Sequence, residues 1–274
     1  MEIFTLWLWP LLAIVLLPGL LVYFGLHIVE RGVIFVDLAL AQIAALGIAV
    51  AILFGMDPSH ERIPYLLALL FTFFGAAIFA LTRFRHVRVP QEAFIGIVYI
   101  VSAAASVMVL SRSASGDEDI KSLLVGNILL VTKTQVLLTF GLFAALGVFH
   151  FLFRRRFLLI SFDHEQAIAR GLSVRLWDFL FYVTFGFAVT SFVLISGVYL
   201  VFSYLIVPAV SAMLFSERLG VRLAIGWSMG AITSAIGVYL SYLWDLPTGA
   251  TIVTTLGAGL LLLSGVRLLT RRAA

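Results

Sequence analysis

Nine stretches of this chain are almost free of polar positions, and each is close to ~20 residues long, the length of a membrane-spanning helix. They lie at about 6–26, 33–54, 64–82, 93–111, 134–153, 177–196, 198–215, 223–243 and 249–268. The sixth and seventh share one long apolar tract. Gly197 and Pro208 break it into two short crossings, or into one crossing and a half-helix, so eight to nine spans are expected. One stretch interrupts the pattern: SFDHEQAIARGL, Ser161 to Leu172. It reads as a small soluble helix with both ends marked. Asp163 can cap its N-terminus, Gln166 can complete a capping box, and Gly171 stands where a left-handed stop belongs.

Composition agrees with the spans. The 274 residues are 62% hydrophobic and 12% charged, whereas an average globular domain carries roughly 25% charge. A soluble domain of this size would have no polar surface to wet, so an all-α polytopic membrane protein is expected, one transmembrane domain over 1–274 with a polar segment at 161–174. With no cysteine, disulfides, thiolate ligands and cysteine nucleophiles are excluded. No basic face for nucleic acid is found. The first residues show neither a positive n-region nor a small-residue cleavage site, so the first apolar run is read as a retained span.

All but two of the basic residues are arginines, the exceptions being Lys121 and Lys133. They cluster at Arg83–Arg88, at Arg154–Arg175 and at Arg267, Arg271 and Arg272. Alternating the spans puts all three clusters on one side, the cytoplasm by the positive-inside rule. The C-terminus is then cytoplasmic. Asp117, Glu118 and Asp119 fall outside, as does the loop with Asp57, His60 and Glu61. Nine spans put the N-terminus outside and eight put it inside. The segment 161–172 falls in the largest cytoplasmic loop. It reads either as an interfacial helix on lipid headgroups or as a docking element for another protein. Its small apolar face and its acids Asp163 and Glu165 favour docking.

Four ordered stretches carry a family resemblance. FDHEQAIARGL resembles the F-D-x-E-x-A-x-x-x-G-L cytoplasmic segment of the ABC-3 family, the permeases of bacterial importers for zinc, manganese and iron-type metals. VGNILLV (125–131), GVYLVFSYLIVPAVSAMLF (197–215, with Pro208) and LSYLWDLPTGATIV (240–253) resemble three further family segments. The resemblance implies a type II importer transmembrane domain in the bacterial inner membrane. It also implies a paired second copy, a separate ATP-binding cassette subunit inside and an extracytoplasmic metal-binding protein outside. Phe162, Asp163, His164, Glu165, Ala167 and Gly171 would then form the coupling helix. Neither lysine has a P-loop context, so no nucleotide cofactor is expected on this chain and ATP would be used by the partner.

The second span departs from the family pattern G-D-A-L-S-H-A-v-l-P-G. Here VDLALAQIAALG (36–47) puts Gln42 where the family has histidine, and Asp37 lies one residue early. Asp37 and Gln42 are the candidates for the translocation path of a divalent metal. An amide oxygen is a hard, weak ligand beside imidazole, which suits manganese better than zinc or suits a surface that never binds tightly. The other account of Asp37 is an interfacial acid paired with Arg31 or stabilised at a helix N-terminus.

Asp37, Ala41, Ala45 and Ala49 make one stripe at i, i+4. Gly226, Gly230 and Ser234 make a second, expected to pack against helices of the same subunit, with dimerisation as the alternative. The five histidines show no ligand spacing. Asp245 belongs to a turn or caps the last helix. A stand-alone secondary transporter or channel and an intramembrane enzyme are disfavoured, because the middles of the spans hold few ionisable groups and no nucleophile–base set; a permease of this same fold with a non-metal substrate is the further alternative.

Overall fold

A spanning helix must satisfy every backbone polar group within itself, so apolar runs of this length fold as continuous helices. The computed structural model describes residues 2–56, 62–82, 90–113, 124–126 and 128–272. Within them lie eleven α-helices. The first four are α1 (Glu2–Glu30), α2 (Val36–Leu53), α3 (Arg62–Leu81) and α4 (Gln91–Leu110). A 3₁₀ turn, Ile128–Leu130, precedes α5 (Lys133–Leu152). Two short helices follow, α6 (Arg154–Phe162) and α7 (His164–Ala169), then α8 (Val174–Ser196), α9 (Val198–Met213), α10 (Leu219–Trp244) and α11 (Thr248–Arg272). Among the described residues there is no strand. Eight helices are long and apolar enough to cross a membrane; α9 is the shorter apolar one.

The expected break at Gly197 is real. Gly197 has φ +77° and ends α8, and α9 starts at the next residue. A side chain there would collide with Gly126, whose own φ is +63°: a Cβ on Gly197 would stand 2.5 Å from the Gly126 nitrogen. Gly249 abuts the Val125 carbonyl at the same end of the bundle. Three of the four sequence segments singled out above therefore meet in space.

From this junction α9 runs to the opposite end. Its Leu205 carbonyl presses on Gly25 of α1, and the chain beyond it, at Ser216, is bound by Arg222. At 1.5 Å per residue its 16 residues span only about 24 Å, less than a bilayer core of roughly 30 Å. Pro208 sits inside α9 without ending it. Because α9 traverses the bundle, α10 returns and α11 finishes at the arginine end, where the Arg267 guanidinium lies 6.0 Å from the Phe215 ring. The cluster at Arg83–Arg88 lies outside the described residues, as do Asp57, His60, Glu61 and Asp117–Asp119.

Helices α1, α2, α8 and α9 make the interior, with Phe24, Phe181, Phe185, Phe192 and Tyr204 almost fully buried. The stripe of Asp37, Ala41, Ala45 and Ala49 is buried along α2. Gly226 and Gly230 of α10 lie against Val22, Pro18 and Pro208, and Ser234 accepts a hydrogen bond from Tyr204 Oη at 2.6 Å. Asp245 takes a left-handed conformation that ends α10.

The α1–α9 contact is the tightest of these approaches, since a Cβ on Gly25 would overlap the Leu205 carbonyl oxygen. We expect Gly25→Ala to destabilise the fold by about 1–3 kcal/mol, as overpacking does. Thermal unfolding of the detergent-solubilised protein checks this, and Ala209→Gly, which relieves a neighbouring methyl, should return part of the loss. An unchanged melting temperature for Gly25→Ala would contradict the close approach.

Candidate functional site

The arginine end is organised by the last turn of α1. Arg31 Nη1 donates to Asp178 Oδ1 of α8 at 2.8 Å, with both side chains essentially out of contact with solvent. Its Nε donates to Ser161 Oγ at 2.7 Å. The guanidinium lies flat against Phe181, 3.9 Å from the ring centre. His27, one turn earlier, places Nδ1 2.7 Å from the same Ser161 hydroxyl. Glu30 accepts from Arg222 Nη1 of α10 at 2.5 Å, and Arg222 Nε donates to the Ser216 carbonyl at 2.6 Å. Ionised groups so near the hydrocarbon persist only when paired and hydrogen-bonded.

His150 of α5 completes the cluster. Its Nε2 is 2.8 Å from Thr184 Oγ1, a hydroxyl that donates to the Leu180 carbonyl at 2.8 Å. The hydroxyl has one proton, so it accepts from His150 Nε2–H, and His150 Nδ1 accepts from Tyr23 Oη at 3.2 Å. Tyr23 also packs edge-on against His27, with ring centres 4.5 Å apart. Two of the histidines that sequence spacing keeps apart are thus neighbours, because α1 and α5 bring their last turns together. They are core groups bonded to hydroxyls. Among the described residues, no three His, Asp or Glu side chains gather as a metal site.

Ser161 is the last buried polar residue before the polar segment. Asp163 then caps α7, accepting from the Gln166 amide N–H at 3.0 Å. The expected reciprocal bond differs: Gln166 Nε2 donates to the Asp163 carboxylate at 3.1 Å, because the Asp163 N–H is already bonded to the Leu159 carbonyl of α6. At the other end Gly171 has φ +71°. Its N–H bonds to the Ile168 carbonyl at 2.9 Å, and the Leu172 N–H bonds to the Ala167 carbonyl at 3.1 Å. That is a Schellman stop. Ala167 is fully buried, whereas Phe162, Asp163, Glu165, Gln166, Arg170 and Gly171 are exposed and His164 is half-buried. The segment therefore offers a mixed acidic and apolar face outward from a fixed base.

Asp37 and Gln42 do not share a site. Asp37 is fully buried in the first turn of α2, where its Oδ1 accepts from the Leu38 N–H at 2.7 Å and its Oδ2 has no hydrogen-bond partner. Arg31, its expected partner, reaches Asp178 instead. Five positions along a helix rotate a side chain by about 140°, so Gln42 points elsewhere. Gln42 lines a cleft of about 170 Å³ with Ala45, Tyr99, Ser106 and Tyr199. Among the described residues the cleft offers amide and hydroxyl groups and no ionised one.

This is the architecture of a helical transporter permease, with a buried polar knot at one end carrying a capped external helix. The ABC 3 transport family model matches residues 4–267, and the chain belongs to that family. The manganese transport system membrane protein MntC of Halalkalibacterium halodurans is 30% identical over 166 residues, covering 61% of this chain and 57% of that protein. The chelated iron transport system membrane protein YfeC of Yersinia pestis is 31% identical over 192 residues, covering 70% and 65%. The aligned parts thus cover less than two thirds of either relative. Among solved structures, PsaBC from Streptococcus pneumoniae in complex with Fab superposes with a TM-score of 0.79 at 24% identity, over 94% of this chain and 90% of that one. That likeness bears on the fold.

Sequence reasoning missed Asp178, Glu30 and Arg222, and it offered Arg31 a different partner, Asp37. Their pairings span 147 and 192 positions, beyond any local pattern. The one available signal was an acid, Asp178, inside the opening turns of an apolar run. Arg31→Met should cost about 3–5 kcal/mol by removing the cation that pairs with the buried Asp178 carboxylate. Arg31→Met with Asp178→Leu should lose clearly less, as thermal unfolding in detergent will measure. Equal losses in the single and double variants would mean that the pair is not coupled.

Proposed function

We propose that the chain is the membrane permease subunit of an ATP-driven importer of a divalent metal in the bacterial cytoplasmic membrane, with its arginine end facing the cytoplasm. The observation that carries this reading is the segment Phe162–Leu172. It is rigid, stopped at both ends and exposed on one face, which is what a docking element for a second protein requires. An ATP-binding cassette subunit would seat there, with Phe162, Asp163, His164, Glu165 and Gly171 toward it and Ala167 holding the helix to its base. A second copy of the chain and an extracytoplasmic metal-binding protein complete the proposed assembly. ATP-driven closure of the partner then biases the permease between inward- and outward-open states.

Gln42 is the better candidate for the translocation surface, since it lines the cleft with Tyr99, Ser106 and Tyr199. Neutral oxygen donors favour a hard cation, so manganese or another hard divalent ion fits this surface better than zinc. Asp37 serves the same path only if α2 moves enough to uncover it. A secondary transporter is the weaker reading, because the ionised groups lie in the end knot and not at the midplane where coupling ions bind.

The test reverses the charge of the exposed face. Asp163→Lys with Glu165→Lys should abolish copurification of the ATP-binding subunit and reduce manganese uptake to background, with the permease still folded. Uptake that persists in this double variant without any bound ATPase would overturn the proposal.

A further inference from the structure

We propose that Ser161 is the positioning residue that joins the external segment to the transmembrane bundle. The inference rests on the docking role proposed for that segment. Ser161 ends the buried part of α6, two residues before Asp163 caps α7. Its hydroxyl is bonded on both sides, to His27 Nδ1 and to Arg31 Nε, each at 2.7 Å. Through Arg31 the link continues to Asp178 of α8 at 2.8 Å, and the adjacent Glu30 holds Arg222 of α10. One hydroxyl thus ties the helix that leads into the segment to the end of α1, where Arg31 pairs with α8 and Glu30 with α10.

Much of the remaining attachment of this region is apolar, and the Arg156 guanidinium also lies 4.7 Å from the Trp177 ring. Phe157, Ile160 and Ala167 are buried, and the exposed Phe162 ring lies 5.9 Å from His27. Apolar contacts resist separation but are non-directional, so they let one helix slide over another. The charge-assisted bond from Arg31 to Ser161 has a fixed length and direction. A push on α7 is therefore delivered to α1 by the Ser161 hydroxyl and reaches α8 through the buried Arg31–Asp178 pair and α10 through the half-buried Glu30–Arg222 pair. Without the hydroxyl the segment stays docked on its apolar base but slips relative to α1.

The experiment measures manganese taken up per ATP hydrolysed in proteoliposomes that hold the chain with the ATP-binding subunit that copurifies with it. It compares wild type, Ser161→Ala and Ser161→Thr, with melting temperatures alongside. Ser161→Ala should lower the ratio five-fold or more, and Ser161→Thr, which keeps the hydroxyl, should return it to within two-fold of wild type. If Ser161→Ala does not assemble, His27→Phe takes its place. That variant keeps a ring in the aromatic surroundings, removes one of the two bonds and should lower the ratio in the same direction. A ratio within two-fold of wild type in Ser161→Ala or His27→Phe overturns the inference. So does a loss that follows the melting temperature and is not restored by threonine. A wild-type chain with which no ATP-binding subunit copurifies overturns the docking role itself, and the joint with it.

Discussion

A guanidinium buried at the end of a spanning helix must be neutralised, and Arg31 draws its partners from two other helices. Asp178 supplies the charge and Ser161 supplies an acceptor, while Phe181 covers the flat face. Nothing local in the chain sets this geometry. It fixes where α1 ends relative to α8 and α6, and the neighbouring Glu30–Arg222 pair extends the same constraint to α10. Removing one member would leave a charge stranded in surroundings that cannot solvate it. The knot therefore holds one end of the bundle as a unit, while the opposite end is held by backbone contact among Gly126, Gly197 and Gly249.

This difference between the ends has a functional sense. The glycine junction is close-packed and carries no charge, so it resists separation without fixing a direction of slide. The arginine knot is directional, and it lies directly beneath the short helices α6 and α7. A device that turns an external push into movement of spanning helices needs a rigid handle and a stiff connection. Here the handle is α7 with its Asp163 cap and Schellman stop, and the connection is a run of bonds no longer than 2.8 Å from Ser161 to Asp178.

Much of this was legible in the sequence. The apolar runs gave the helices, because in lipid a long apolar segment has no other way to satisfy its backbone. The capped segment was legible for the same local reason: Asp163, Gln166 and Gly171 act on groups within six residues of themselves. Gly197 announced its break because a positive φ favours glycine. The pairings were not legible. His27 and His150 sit on separate helices, Arg31 and Asp178 lie 147 positions apart, and spacing along one helix says nothing of them. Asp37 shows the limit most clearly: the sequence offered Arg31, six residues away, but the loop between α1 and α2 turns Arg31 toward α8. Gln42 was found from its place in a family pattern, whereas its neighbours in the cleft, Tyr99, Ser106 and Tyr199, come from α4 and α9 and carried no signal of their own.

The cleft beside Gln42 holds amide and hydroxyl oxygens where the resembling families carry imidazole, so the identity of the transported metal is the quantity most sensitive to this account. The direct measurement is the manganese, iron, zinc and cobalt content of cells by mass spectrometry, with the gene removed and restored, during growth under scarcity of each metal in turn. The account predicts that removal lowers manganese or iron and that restoration returns it, with zinc unaffected. No change in any of the four metals, or a change in zinc alone, would contradict it.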